Sequence, residues 1–263
     1  MSPAATLVEL GVVRWATGLV GWDAEAGGSF VSGGSAANLA ALLAARARRF
    51  PAAWREGMPG GAAIVTGKQA HYSVARAAGI LGMGADAVIA VDTTPQGATD
   101  PRALAAALEA LEGEGREVVA VVATAGSTAT GSFDDLPAIA ALCRPRGIWL
   151  HVDGAHGASA LLSAGTRHRL RGLELADSLA WDPHKMMFMP LSTAMVLARR
   201  RRDLERAFQQ DAPYLFHAPL CDDAPPDTGA WTLQCSRRAD ALGCASRWST
   251  TAPTRSASSS TTR

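Results

Sequence analysis

The stretch Ile148-Trp149-Leu150-His151-Val152-Asp153-Gly154, "IWLHVDG", decides the fold class. Its nearly continuous apolar run is typical of a strand in a parallel sheet, because helices cover both faces of such a sheet. The strand ends in a carboxylate, and a glycine follows. In open α/β sheets, ligands bind outside the carboxyl ends of the strands. The stretch therefore predicts both a buried strand and a candidate functional group at its end.

Similar strands flank this one, with helical segments between them. They are "AAIVTG" (62–67), "AVIAVD" (87–92), "EVVAVVATAG" (117–126), "DSLAWD" (177–182) and "STAMVLA" (192–198). The clearest helix is "DPRALAAALEALEGEG" (100–115), with Asp100 as the N-cap, Pro101 at the first helical position and a leucine stripe. This alternation predicts an α/β fold with a mainly parallel sheet flanked by helices.

The chain before this region also has a helical pattern. The segment 3–22 is helix-like, and the segment 27–38, "GGSFVSGGSAAN", is a Gly-rich turn that leads into a second helix at 39–50. After residue 240 the sequence is rich in Ser, Thr and Arg, a composition that cannot build a core. We therefore expect one large domain over residues 1–240 and a disordered tail over residues 241–263.

Composition and charge exclude several classes of partner. With 263 residues and 48% hydrophobic content the chain can bury a sizeable core. The 25 basic and 24 acidic residues give a net charge of +1, which argues against binding to nucleic acid or to an anionic membrane. No apolar run reaches the ~18 residues that span a bilayer. The four cysteines show no C-x-x-C spacing and the N-terminus has no leader pattern, so we expect a cytoplasmic protein.

Lysine is scarce in this chain. Only Lys68 and Lys185 occur among the 25 basic residues, and Lys185 lies in "AWDPHKMMF" (180–188), before a run of large apolar residues. A buried lysine can lose its proton and act as a nucleophile, whereas arginine cannot. Lys185 is therefore a candidate amine nucleophile. The alternative is a lysine whose stem packs on apolar surface while its ammonium group reaches water.

Three other segments place polar groups near strand ends. "SGGSAAN" (32–38) combines glycines with Ser35 at the start of a helix, an arrangement that suits a phosphate group. His71 follows the strand at 62–67, and Ser127 follows the strand at 117–126. Each segment could also be an ordinary helix cap or polar loop.

The segment "HVDGAH" (151–156) allows two interpretations. Asp153 requires a cationic partner if it is buried, and a protonated ring nitrogen or a metal ion would serve. His151, Asp153 and His156 offer nitrogen and oxygen ligands for zinc, although no further cluster with metal-ligand spacing accompanies them. A metal hydrolase is therefore the weakest of the alternatives.

A phosphate-binding turn, a buried aspartate, an imidazole and one lysine are together the groups that pyridoxal phosphate requires. The lysine forms a Schiff base with the cofactor, and the aspartate pairs with the pyridinium nitrogen so that the ring can accept electrons. The sequence therefore predicts pyridoxal phosphate as the cofactor, with Lys185 and Asp153 as its principal partners.

Several motifs resemble those of the group II pyridoxal-dependent amino-acid decarboxylases, a family that includes aromatic-amino-acid, glutamate, cysteine-sulfinate and diaminobutyrate decarboxylases. The motifs are "GGSAANLAALLAAR", "HVDGAHGASALL", "DPHKMM", "YLF" followed by "DTG", and "LQCSRRADAL", and the resemblance covers residues 3 to 242. It implies the large domain of the aspartate-aminotransferase-like (fold type I) enzymes. It also implies that the chain decarboxylates an L-amino acid to an amine and works as a homodimer.

The resemblance implies a role for each site residue. Lys185 would hold the cofactor as a Schiff base, Asp153 would pair with the ring nitrogen, and His71 would stack on the ring opposite Ala155. The phosphate would be held by Gly34, Ser35 and Asn38, with help from His184. The ring and the aspartate would be surrounded by Ser127 and Asp182.

The chain departs from the family pattern in three places. The N-terminal segment that wraps the partner subunit is not matched, and the Ser/Thr/Arg tail stands where the family has a small C-terminal domain. The family's loop tyrosine has no match in "HAPLCDDAPPDTG" (217–229), since Asp222 takes its place and Tyr214 comes too early. We therefore expect an incomplete domain with impaired turnover. The alternatives are a cofactor-binding remnant without turnover and a same-fold aminotransferase, lyase or oxidative deaminase.

Overall fold

A seven-stranded sheet forms the centre of the molecule in a computed structural model that describes residues 2–209 and 227–251. Its strands are β1 (Gly27–Val31), β2 (Ala62–Gly67), β3 (Val88–Val91), β4 (Glu117–Thr124), β5 (Trp149–Asp153), β6 (Ser178–Trp181) and β7 (Ala194–Ala198). The spatial order is β1-β7-β6-β5-β4-β2-β3, and β7 runs antiparallel to both of its neighbours. The other pairings are parallel, which confirms the predicted fold class.

The helices of the described residues cover both faces of this sheet. They are α1 (Pro3–Val20), α2 (Gly34–Arg49), α3 (Ala53–Glu56), α4 (Ser73–Ile80), α5 (Pro101–Gly113), α6 (Leu136–Cys143), α7 (Arg201–Ala207) and α8 (Ala241–Thr251). The start of α5 agrees with the prediction, because the Asp100 side chain accepts a hydrogen bond from the Arg102 amide and Pro101 is the first helical residue. None of these helices is both long and apolar enough to cross a lipid bilayer.

Side chains alternate between two apolar layers, one on each face of the sheet. In β2, Ala63 and Val65 belong to the layer that contains α1, α5 and α6, whereas Ile64 belongs to the layer that contains α2, α4 and α7. Because both layers are buried, the strands carry the near-continuous apolar sequences of a doubly covered sheet. The carboxyl ends of β2, β4, β5 and β6 therefore meet at one edge.

Strand β1 corrects the sequence prediction, which assigned its residues to a Gly-rich turn. The strand pairs with β7, and Phe30 lies opposite Met195. A Cβ atom on Gly28 would lie 2.2 Å from the Val196 carbonyl oxygen, so only glycine permits this pairing. The two glycines conceal the apolar pattern by which strands are recognised, although Gly28 is required by the close approach of β7 and Gly27 by the Arg201 side chain of α7.

A buried ion pair joins the first helix to residues near the C-terminus. An Arg237 guanidinium nitrogen lies 2.7 Å from Glu9 Oε1, and both side chains are less than a tenth exposed. The same nitrogen donates to the Phe30 carbonyl, and the Phe30 amide donates to Glu9. The pair therefore fixes α1 against β1.

Helix α8 contradicts the predicted disorder of residues 241–251. Ala241 and Cys244 are buried and pack in the layer that contains α1. The Ser/Thr content concealed this short apolar face, because two buried side chains are enough to anchor a helix end but too few to give a visible period. The predictions for residues 252–263, and those for Tyr214 and Asp222, lie outside the described residues.

Candidate functional site

One cleft at the carboxyl edge of the sheet collects the side chains that the sequence nominated. Its walls come from the ends of β4, β5 and β6, the start of α2 and the loop after β2. Of the predicted residues it is lined by Gly34, Ser35, Asn38, His71, Ser127, Asp153, Ala155, Asp182 and Lys185. His184 is not among the lining residues and contacts Asp182 instead, with its Nε2 3.7 Å from Asp182 Oδ2.

Asp153 ends β5 and presents a carboxylate that is only 7% exposed. Its Oδ2 accepts a hydrogen bond of 2.8 Å from Asn38 Nδ2, and its Oδ1 accepts one of 3.1 Å from the Ala155 amide. Among residues 2–209 and 227–251 it forms no ion pair within 4.0 Å. A buried carboxylate held by neutral donors alone retains a full charge that favours a cationic ligand.

Lys185 lies in the turn after β6, on the opposite side of the cleft from β4. Its Nζ is 3.3 Å from Asp182 Oδ2, and the same oxygen accepts a 3.1 Å hydrogen bond from the Gly34 amide. The Asp182 carboxylate therefore ties the lysine to the start of α2.

Burial raises the pKa of Asp182, and the positive charges of Lys185 and His184 oppose this rise. Asp182 Oδ1 is buried and has no hydrogen-bond partner within the described parts of the chain. The His184 ring is held in place by a hydrogen bond from its Nδ1 to the Thr193 carbonyl oxygen, 2.6 Å away. This side of the cleft thus combines a lysine with a strongly desolvated carboxylate.

Asn38 occupies a different place from the phosphate contact implied by the family resemblance. Its side chain is 1% exposed, and its amide nitrogen contacts both Asp153 Oδ2 and Ser73 Oγ at 2.8 Å. An amide has two protons to donate, so both are committed within the protein. The structure therefore does not support a phosphate contact by Asn38, and it leaves the start of α2, with Gly34 and Ser35, for that group.

His151 argues against the zinc alternative. Its two ring nitrogens are hydrogen-bonded to Asn38 Oδ1 at 2.9 Å and to Ser178 Oγ at 2.8 Å. The ring is fully buried, and desolvation lowers its pKa to about 4 even though the Asp153 charge acts in the opposite direction. With both nitrogens already engaged, the ring has no lone pair for a metal.

His71 and Ser127 come from loops that follow β2 and β4. His71 Nδ1 lies 2.8 Å from Ser73 Oγ, and its ring contacts Tyr72 with centroids 4.1 Å apart. The Ser127 hydroxyl lies 2.6 Å from Thr130 Oγ1 and so closes its own loop. Both side chains line the cleft from loops that follow strand ends.

The sequence did not nominate every residue that lines the cleft. Those missed as cofactor contacts are Gln69, Thr124, Gly126, Thr128 and His156. Their position directly after the carboxyl ends of β2, β4 and β5 is the signal that could have identified them. Gly126 has a φ of +81°, and a Cβ there would lie 2.9 Å from Gly157 Cα, so glycine lets two loops of the cleft meet.

Comparison with known proteins agrees with this arrangement. The model of the pyridoxal-dependent decarboxylase conserved domain matches residues 1–249. The chain belongs to this decarboxylase family. The family is described by its dependence on pyridoxal, and the matched structure from Oryza sativa contains PLP, so the predicted family and cofactor are confirmed.

Individual relatives of the decarboxylase family differ in their substrates. Cysteine sulfinic acid decarboxylase of Rattus norvegicus is 38% identical over 245 residues, which cover 92% of this chain and 50% of that protein. L-2,4-diaminobutyrate decarboxylase of Rhizobium meliloti (strain 1021) is 42% identical over 241 residues, which cover 92% of this chain and 47% of that protein. The crystal structure of Oryza sativa TDC with PLP and tryptamine matches with a TM-score of 0.87 at 25% identity, covering 95% of this chain and 53% of that chain. The chain thus spans about half the length of the relatives that it matches.

The residues of this decarboxylase cleft fit pyridoxal phosphate. Asp153 is a buried carboxylate paired only with neutral donors, as a protonated ring nitrogen requires. Helix α2 begins at the cleft with Gly34, whose amide is bonded to Asp182 Oδ2, and the next residue, Ser35, lines the cleft at the helix N-terminus, a position that suits an anion. Lys185 lines the same cleft and would offer an amine to the cofactor.

Proposed function

We propose that this chain forms the cofactor-binding part of a pyridoxal-phosphate-dependent decarboxylase that acts on an L-amino acid. The observation that carries the proposal is that Lys185 and Asp153 line the same cleft, where Asp182 and the start of α2 lie between them. The resemblance to decarboxylases with different substrates supports the reaction class, removal of the α-carboxylate.

The proposal gives each side of the cleft a task. Lys185 would hold the cofactor covalently, and Asp182, 3.3 Å from its Nζ, would orient the amine before attachment. Asp153 would keep a proton on the ring nitrogen, because a buried carboxylate stabilises a neighbouring cation. His71 would cover one face of the ring and Ala155 the other.

The phosphate would lie at the start of α2. The N–H groups and the dipole of a helix N-terminus favour an anion, and Ser35 would offer its backbone N–H there, while the Gly34 amide is bonded to Asp182 and Gly34 keeps this turn free of a side chain. Ser127 would complete the wall around the ring, and His184 would support Asp182 from outside the cleft. When bound, pyridoxal phosphate supplies an electron sink that accepts the electron pair of the bond to the departing carboxylate.

The attachment of the cofactor can be tested with the two lysines of the chain. Incubation with pyridoxal phosphate, reduction with borohydride and peptide mapping should place the label on Lys185. Lys185→Ala should abolish labelling. Lys68→Ala is the matched control and should retain it, because Lys68 is 58% exposed and pairs with Asp92. A label on Lys68 would refute the assignment.

Products distinguish the reaction class from its same-fold alternatives. With a panel of amino acids, decarboxylation releases carbon dioxide and an amine. Transamination instead leaves pyridoxamine phosphate, and oxidative deamination consumes oxygen. The proposal requires carbon dioxide and amine in equal amounts.

We also propose a cytoplasmic homodimer. Cys143, Cys235 and Cys244 are free thiols, as expected in a reducing compartment, and Cys221 lies outside the described residues. The dimer rests on the family resemblance. Sedimentation of the purified chain with and without pyridoxal phosphate tests it.

A further inference from the structure

Asn38 is the branching point of a buried hydrogen-bond network behind the cleft. Its Nδ2 contacts Asp153 Oδ2 and Ser73 Oγ, each at 2.8 Å, and its Oδ1 lies 2.9 Å from His151 Nε2. Two donors and one acceptor are thereby used. The side chain therefore belongs to the network as a whole and not to a ligand in the cleft.

The donor and acceptor roles in this network indicate which atoms carry the hydrogens. An ionised carboxylate only accepts hydrogen bonds, so the amide nitrogen of Asn38 must face Asp153 and its oxygen must face His151. His151 Nε2 therefore carries the hydrogen. Ser178 Oγ accepts from Trp149 Nε1 at 2.8 Å, and its own proton is available for His151 Nδ1, which lies 2.8 Å away. The network therefore fits a neutral imidazole protonated on Nε2.

Burial agrees with this assignment independently of the geometry. His151 and Ser178 have no exposed surface, and burial lowers the pKa of His151 to about 4. Because a neutral imidazole carries no positive charge, His151 does not compete with the ring nitrogen of the cofactor for the charge of Asp153. In a low-dielectric interior such a fully paired network is also rigid.

The same network reaches the imidazole on the other side of the cleft. The Ser73 backbone N–H donates to His71 Nδ1 at 3.3 Å, so this nitrogen is an acceptor and the Ser73 hydroxyl, 2.8 Å from it, donates its proton there while accepting from Asn38. His71 then carries its hydrogen on Nε2. One buried amide therefore orients both the carboxylate and the ring that would contact the cofactor.

We infer that Asn38, and His151 through it, are positioning residues that hold Asp153 toward the ring nitrogen of the cofactor and keep the protein side of that carboxylate neutral. This inference rests on the proposed function, since it concerns the same carboxylate. Asn38 is thereby reassigned from a phosphate contact to the support of Asp153, the carboxylate that faces the ring nitrogen. His151 becomes a hydrogen-bond donor to Asn38 rather than a metal ligand.

The inference can be tested by comparing two ligands that differ at one atom. The ligands are pyridoxal phosphate and the analogue in which a carbon replaces the ring nitrogen, and the measured quantity is the ratio of their dissociation constants. The unaltered chain should prefer pyridoxal phosphate. Asn38→Leu should reduce this preference at least about tenfold, or ~1.4 kcal/mol. His151→Phe should reduce it too, and His151→Gln should restore most of it because its amide can donate to Asn38.

Ser159→Ala is the matched control. It removes another buried hydrogen bond, the one that Trp181 Nε1 donates to Ser159 Oγ at 2.9 Å, between two side chains that do not line the cleft. It should lower the stability of the chain and leave the ligand preference unchanged.

Nitrogen NMR of the cofactor-free chain gives a second measurement that does not depend on the folding of a variant. At pH 7 it should show His151 as the neutral Nε2–H tautomer, and an Nδ1–H tautomer or an imidazolium ion would overturn the inference. The inference also fails if folded Asn38→Leu and His151→Phe keep the full preference of the unaltered chain. If the unaltered chain itself shows no preference, the proposed role of Asp153 is what fails.

Discussion

Replacing Gly34 by alanine adds one methyl group at the place where α2, Asp182 and Ala155 meet. The new Cβ atom would lie 2.7 Å from Asp182 Oδ2 and 3.0 Å from the Ala155 Cβ atom. Both neighbours are buried, and the Ala155 Cβ atom can move only with its backbone, whereas the Asp182 carboxylate can rotate. The substitution should therefore displace the Asp182 carboxylate.

The size of the effect follows from these contacts. Overpacking of a buried site costs about 1–3 kcal/mol, and for a chain of this size each kcal/mol lowers the Tm by about 2–4 °C. Displacement of Asp182 also breaks its hydrogen bond from the Gly34 amide and moves it from Lys185. We expect the affinity for pyridoxal phosphate to fall by roughly tenfold or more, which corresponds to ~1.4 kcal/mol per factor of ten.

Chemical denaturation and titration with pyridoxal phosphate measure the two effects separately. Gly11→Ala is the matched control, since Gly11 lies within α1 and a Cβ atom there meets nothing within 4 Å. This control should raise the free energy of unfolding by about 0.5–1 kcal/mol and leave cofactor binding unchanged. If Gly34→Ala has the same free energy of unfolding and the same affinity for pyridoxal phosphate as the unaltered chain, the argument from crowding at the start of α2 is wrong.

Three further predictions concern buried charges. Because burial lowers the pKa of His151 from 6.5 to about 4, the folded chain binds fewer protons than the unfolded chain between these values, and the free energy of unfolding should rise by about 3 kcal/mol as the pH increases from 4 to 6.5. His151→Gln should remove that part of the rise in pH-dependent denaturation. Because burial raises the pKa of Asp182 above 3.8, the folded chain binds more protons there and stability is lost as the pH rises through that raised value. Asp182→Asn should therefore stabilise the cofactor-free chain at pH 7 while weakening cofactor binding, and a destabilised variant would contradict this. Glu9→Ala leaves the buried Arg237 guanidinium without its carboxylate and should cost about 3–5 kcal/mol by calorimetry, whereas a loss below about 1 kcal/mol would show that solvent replaces the partner.

The sequence predicted the strands and the place of the site well, because both depend on local patterns. The strand over 62–67 has the predicted bounds, and the run that ends at Asp153 places that residue at the carboxyl edge. Lys185 could be identified because lysine is so scarce in this chain.

Features that depend on distant contacts could not be predicted in this way. Strand β1 was missed because Gly28 is required by the Val196 carbonyl rather than by any local pattern. Asn38 was assigned to the phosphate because a family motif gives the position of a residue but not the direction of its side chain. Its actual partner, Asp153, is 115 residues away in the chain.

The pairing of β1 with β7 bears on how the chain folds during synthesis. Phe30 must wait for Met195, and at about 5–20 residues per second the intervening stretch of about 165 residues takes the ribosome about 8–33 s. During that time the edge of β1 that pairs with β7 has no native partner. A nascent chain with unpaired strand edges and exposed apolar surface is prone to aggregation. Slow expression at reduced temperature and co-expression of chaperones that bind nascent chains should therefore increase the yield of folded protein.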